Sequence, residues 1–185
     1  MLLLIAGLIL WSFAHYFKRL LPDLHASFGA AGRAIMGVGI LISLLMLIFG
    51  YRSADFISIW HPPSFMTPIN NILMLLALWV FGSSAAKGAK AWPGYQIRHP
   101  ELTGFKIWAV AHLLVNGDLA SILLFTGLLA WAVGSVILIN KTEPEWTPPE
   151  KAGIKTYVRL SVIVLVLFAL IASVHVWFGL SPFPR

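Results

Sequence analysis

The chain contains no cysteine, and that one absence removes disulfides, thiolate-held metal sites and a cysteine nucleophile together. The redox compartment is then unreadable from thiols, and without a C-x-x-C-H motif covalent haem attachment is excluded. Charge is also scarce: Asp, Glu, Lys and Arg make up 11% of the residues, and only 7 are acidic. No Asp or Glu cluster falls inside an apolar run, so zinc or a di-iron carboxylate site is poorly supplied. Polar–apolar alternation is missing as well, for example over 41–49 and 161–172. A membrane β-barrel would need alternating segments of roughly ten residues.

Apolar length is what the sequence does have. Hydrophobic residues make up 59% of the chain, and the mean hydropathy is +0.86, more than a water-soluble core can use. The apolar residues fall in runs that match the roughly 20 helical residues needed to cross the hydrocarbon. Reading those runs against their breakers predicts an all-α polytopic transmembrane bundle of about six spans, 2–21, 33–51, 69–86, 100–116, 119–139 and 156–180, in a single domain. No basic residue precedes the first run, and Lys18 and Arg19 follow it. That order is the reverse of a cleavable signal peptide, so the first run is expected to stay as a span.

The net charge of +6 is topological in origin. Of the 13 Lys and Arg residues, Lys18, Arg19 and Arg33 lie in the first loop, Lys87, Lys90 and Arg98 in the third with Lys106 close by, and Lys141, Lys151, Lys155 and Arg159 around the fifth. Arg52 and Arg185 fall elsewhere. This bias places the odd loops in the cytoplasm and both termini outside. No basic stripe with interleaved aromatics is present, which argues against a nucleic-acid partner. The partner implied is the lipid bilayer, and a bacterial inner membrane is the expected location.

Element ends carry their own signals. Pro22 should close the first helix, Pro62, Pro63 and Pro68 should keep the second loop non-helical, and Pro100 suits a helix start. Gly117 suits a left-handed helix stop, and Asp118 can cap the next helix through the amide of Ser121. The stretch 143–151, with three prolines, reads as an exposed loop.

Polar groups inside hydrocarbon are costly, so the few present are functional candidates. Most are histidines. His15 lies on the first helix with Trp11, Ser12 and Arg19 on its flank, His112 lies on the fourth with Trp108 and Asn116 one turn away, and His99 sits at the start of that helix. A single membrane histidine usually serves packing, but two on separate helices suit the clamping of a haem iron among Leu, Phe and Trp side chains. Haem b is then the cofactor to consider. At about 1.5 Å per residue, His15 lies roughly 9 Å from the cytoplasmic end, His112 roughly 18 Å and His99 near zero. Depth does not choose between His99 and His112 as the second ligand. His25 and His61 are expected on the surface, and His175, beside Trp177 and Phe178, in an interfacial belt.

The run Arg98-His99-Pro100, Gly104, Trp108-Ala109-Val110-Ala111-His112, Asn116-Gly117-Asp118-Leu119-Ala120-Ser121, Leu124-Phe125 and Trp131-Ala132 closely resembles the signature of the NnrU membrane proteins. His15, Pro22, Gly32-Arg33 and Gly50-Tyr51 also match, so the resemblance covers about residues 13–135. It implies a setting in denitrification and the response to nitric oxide. The same block resembles the plant 15-cis-zeta-carotene isomerases, membrane haem b proteins, and implies His15 and His112 as axial ligands. Ala109 stands where those isomerases have a cysteine, so thiolate ligation and a haem-dependent isomerase activity are not simply inherited. Arg19, Arg33 or Arg98 would meet the haem propionates, an Arg fork matching a carboxylate. Arg98-His99-Pro100 is also similar to the motif of isoprenylcysteine-type methyltransferases, which implies S-adenosylmethionine held by Arg98 and His99. The Arg-x-x-x-Glu-Glu element of those enzymes is absent, Glu143, Glu145 and Glu150 standing instead in a proline-broken loop. A passive transporter of small nitrogen oxides would be expected to show paired broken helices or an inverted repeat. The sequence displays neither.

Overall fold

The computed structural model describes residues 1–183. Pro184 and Arg185, and with them the charge expected at the C-terminus, lie outside the described residues. The chain is helical: α1 (Leu2–Leu20), a short α2 (Pro22–Ser27), a 3-10 turn (Gly29–Ala31), α3 (Gly32–Arg52), α4 (Met66–Gly82), α5 (Pro100–Val115), α6 (Leu119–Thr142) and α7 (Ile154–Trp177). Among the described residues no strand forms beyond two isolated bridges, Ser58 with Asp118 and Lys90 with Lys151.

Among the described residues four stretches are long and apolar enough to cross a membrane: 2–20, 29–52, 119–142 and 154–177. The helix α4 is apolar but has only 17 residues, and α5 has 16. At about 1.5 Å per residue these reach roughly 25 Å, short of the ~30 Å hydrocarbon. The outward residues of α4, Ile69, Ile72, Leu76 and Phe81, are nevertheless apolar, as on α7, where Val158, Val162 and Leu165 are each more than half exposed. In water such a surface would drive association; in lipid it costs nothing.

Several predicted ends shift, for local reasons. The third expected span, α4, begins at Met66 and stops at Gly82, so Pro68 lies inside its first turn and not in the loop before it. The first-turn amides have no intrahelical acceptor, and a missing N–H there is harmless. The first loop is partly helical, because Pro22 opens α2 as its first residue while Leu21 ends α1. Gly117 is not left-handed, since among the described residues only Gly29, Gly88 and Gly179 have positive φ. The backbone leaves α5 extended at Asn116, and the Gly117 carbonyl accepts from the amides of Ile59 and Trp60 at 2.8 and 3.1 Å. The expected Asp118 cap is present, its Oδ1 accepting from the Ser121 amide at 2.9 Å.

The chain forms two compact units, Met1–Trp60 with Gly117–Pro144, and His61–Asn116 with Glu145–Arg185. In the first, α1 packs against α3 and α6. The α1–α3 approach is backbone on backbone: a Cβ on Gly50 would sit 2.5 Å from the Leu4 nitrogen, and one on Gly7 would sit 3.0 Å from that of Leu47. Two glycines thus remove the side-chain layer that usually separates helices, as small residues do where lipid offers no hydrophobic drive between them. The paired positions descend on α3 as they rise on α1, so the two helices are antiparallel. The α1–α6 pairs, Leu8 with Gly127 and Tyr16 with Gly134, rise together, so those helices are parallel. At the far end Tyr51 Oη and Ser121 Oγ lie 2.9 Å apart, joining α3 to α6.

In the second unit α4 packs against α5 and α7. A Cβ on Gly104 would meet the Ala77 carbonyl at 2.6 Å, and one on Gly82 would meet Leu160 at 2.8 Å, so α4 is held closely on both sides. The segment after α4 folds back: Lys90 donates to the Glu150 carbonyl at 2.7 Å and accepts from Ala152 at 2.8 Å. Lys90 Nζ also bonds the carbonyls of Ser84 and Ala86. These bonds seat Ala91 in a core with Leu160 and Val164. Trp79 Nε1 donates to the Trp92 carbonyl at 2.7 Å, and the Trp92 amide donates to the Tyr157 hydroxyl at 3.0 Å.

Candidate functional site

One local pattern occurs in each unit. Trp11-Ser12-Phe13-Ala14-His15 on α1 and Trp108-Ala109-Val110-Ala111-His112 on α5 are both W-x-x-A-H. The helical period places the Trp carbonyl one turn below the imidazole. His15 Nδ1 donates to the Trp11 carbonyl at 2.8 Å, and His112 Nδ1 donates to that of Trp108 at 3.0 Å. A carbonyl only accepts, so the shared proton belongs to Nδ1 in both cases. The lone pair is therefore on Nε2, the arrangement in which backbone acceptors orient metal-binding imidazoles. Both alanines of the motif are buried, so the helix packs closely below each ring. His175 makes the same type of bond, to the Ile171 carbonyl at 2.8 Å, without the tryptophan.

In the first unit an aromatic frame surrounds His15. The Trp11 ring lies 4.3 Å away, tilted, and Trp131 of α6 presents its edge at 4.8 Å. Tyr16 Oη donates to the Trp131 carbonyl at 2.6 Å and fixes α6 beside α1 at this level. The Trp11 indole N–H is buried with no hydrogen-bond partner, a donor left unsatisfied next to the imidazole. In the second unit Trp108 lies 5.0 Å from the His112 ring and Phe105 lies 4.9 Å from Trp108. Asn116 donates to the His112 carbonyl at 2.8 Å, closing the end of α5 just where it carries the histidine.

The other predicted site residues stand at helix ends. Arg19 pairs with Glu143 at 3.1 Å, a partly exposed bridge of the kind worth at most about 1 kcal/mol. Arg98 donates to the Glu145 carbonyl at 3.3 Å. His99 is the N-cap residue of α5 and makes no side-chain cap bond; its carbonyl accepts from the Thr103 amide at 2.9 Å. Arg33 is exposed in the first turn of α3. His61 is exposed, whereas His25, expected on the surface, is half-buried because its ring packs on Gly32 and faces Phe17 at 6.4 Å.

The structure thus brings Trp11, Trp131 and Tyr16 around His15, and Trp108, Phe105 and Asn116 around His112. Trp131 and Tyr16 were not among the predicted site residues. The recurrence of W-x-x-A-H was the signal that could have exposed the shared design, although five residues are too few to register as an internal repeat. Among the described residues no three His, Asp or Glu side chains gather into a group able to hold a metal ion by themselves.

Comparison with curated proteins and with solved structures finds no significant match. A family model described as NnrU protein matches residues 3–182, well beyond the stretch that carries the sequence signature. With nearly its whole length matched, the chain belongs to the NnrU family.

Proposed function

We propose that this NnrU protein is a six-span inner-membrane protein of bacteria that binds haem b through His15 and His112 and serves redox or nitrogen-oxide chemistry. The observation that carries the reading is the W-x-x-A-H pair, each imidazole held with its lone pair on Nε2 by a carbonyl one turn below. The donor set fits: neutral imidazoles in aromatic, partly buried surroundings suit axial ligation. The unsatisfied Trp11 indole N–H is a donor for any acceptor atom on an occupant beside His15. Arg19, Arg33 and Arg98 supply cations at helix ends for propionates. Bound haem would supply one-electron exchange or capture of a diatomic ligand. The residues of the chain orient the two ligands, exclude water from them and fix their tautomer. The helix directions fit alternating spans, since α3 runs against α1 and α6 runs with it, and the count of six rests on the apolar runs and the charge bias.

Absorption spectroscopy of the purified protein tests the reading. A Soret band with sharp reduced α and β bands is expected. Substitution of either His15→Ala or His112→Ala should convert the six-coordinate low-spin spectrum to a five-coordinate one or abolish it, whereas His99→Ala and His175→Ala should leave it nearly intact. Unchanged spectra in both ligand variants would sink the assignment. Loss of S-adenosylmethionine binding in His99→Ala, with no Soret band in the wild type, would favour a methyltransferase instead.

A further inference from the structure

A second site, lined by neither histidine, lies in the unit built from α4, α5 and α7. A cavity of about 420 Å³ opens between the end of α4, the segment that follows it and the first half of α7. Its volume, at about 30 Å³ per small heavy group, admits on the order of a dozen such groups. Its apolar lining is Gly82, Ala85, Ala86, Ala91, Leu160 and Ile163, and its polar lining includes Lys87, Thr156 and Arg159. No acidic residue lines it. Among the described residues neither the Lys87 nor the Arg159 side chain has a hydrogen-bond or ion-pair partner. Lys90, by contrast, is committed to the loop carbonyls and holds the segment carrying Lys87 in place.

The order of groups along α7 decides what the cavity suits. Thr156 and Arg159 come first, then Ile163, Val166 and Leu170 follow at helical spacing on the same face, 46%, 52% and 57% exposed. A free phosphate would use the cations and leave the apolar stripe bare. A glycerophospholipid uses both, its phosphodiester at the cations and an acyl chain along the stripe. With no carboxylate present, a headgroup amine would gain nothing, whereas an anionic headgroup meets two uncompensated positive charges, the pattern of basic lipid pockets between membrane helices.

We propose that this cavity is a binding site for one anionic phospholipid, its phosphodiester held by Lys87, Arg159 and the Thr156 hydroxyl. The site does not depend on haem. Bound lipid is counted by native mass spectrometry of the purified full chain in micelles holding equal phosphatidylglycerol and phosphatidylcholine. The wild type should retain one phosphatidylglycerol in preference to phosphatidylcholine. The double variant Lys87→Gln, Arg159→Gln should lose that preference by about 30-fold, near one decade or slightly less per charge. Ala86→Trp, which fills the cavity and keeps both cations, should lose it too and covers the case in which the charge variant does not fold. Lys141→Gln with Lys155→Gln, the same charge change outside the cavity, should retain it. The proposal is overturned by a wild type without preference, by equal loss in the Lys141 and Lys155 control, by retention in Ala86→Trp, or by displacement of the lipid with millimolar inorganic phosphate.

Discussion

Asp118 and Trp11 show how single polar groups are handled in a chain with so few of them. Asp118 accepts from both the amide and the hydroxyl of Ser121, at 2.9 and 2.5 Å, and that hydroxyl in turn meets Tyr51. A cap substitution costs roughly 0.5–2 kcal/mol, and here it also removes the acceptor that takes the Ser121 hydroxyl proton. Asp118→Ala should therefore lower the thermal midpoint in detergent by an amount near the top of that range, and Asp118→Asn by less, because its amide oxygen still caps. Equal midpoints for the two variants would show that the side-chain cap contributes nothing. Trp11 is the reverse case, a buried donor without an acceptor. Removing an unsatisfied buried donor is neutral or stabilising by about 1 kcal/mol. Trp11→Phe should then leave the haem-free protein as stable or more so, while lowering the fraction of haem retained through purification. Equal haem retention by Trp11→Phe and the wild type would mean that the indole N–H serves no occupant.

Between helices, the decisive residues are those that are missing a side chain. Gly50 and Gly37 both lie on α3 and are indistinguishable by composition. A Cβ at Gly50 would collide with the α1 backbone at 2.5 and 2.8 Å, and one at Gly37 would meet nothing within 4 Å. Backbone cannot swing aside, so Gly50→Ala should destabilise by about 1–3 kcal/mol. Gly37→Ala should be neutral or stabilising by up to about 1 kcal/mol through helix propensity. Unfolding midpoints of the two variants in the same detergent check the pair, and similar values would show that the α1–α3 contact is looser than described. Helix existence was legible from the apolar runs, but ends were not: Pro68 looked like a breaker and is an acceptable first-turn residue. Gly117 looked like a left-handed stop and serves an extended segment that pairs with residues 57–60. Both readings depend on which neighbour takes up a backbone group, and that neighbour is distant in sequence.

For the molecule as a whole, the charge placement makes a prediction about sidedness. Eleven of the 13 basic residues flank odd-numbered loops, which predicts that cysteines introduced at Lys90 and Lys151 react with an impermeant maleimide only from the cytoplasm, and one at Pro63 only from outside. Reaction of Pro63 and Lys151 from the same side would overturn the six-span count, and that count is the open point because α4 and α5 are short. The sequence by itself determined an all-helical membrane chain without thiol chemistry, the family, and the histidines worth weighing, because hydropathy, charge and composition act locally along the chain. Only the tertiary structure decided that Trp131 frames His15 and that Lys87 and Arg159 share one cavity. It also decided which glycines carry helix contacts. The reason is physical: in a membrane helix the lipid-facing and packed faces are both apolar, so hydropathy does not mark which face meets a neighbour, and contact alone does.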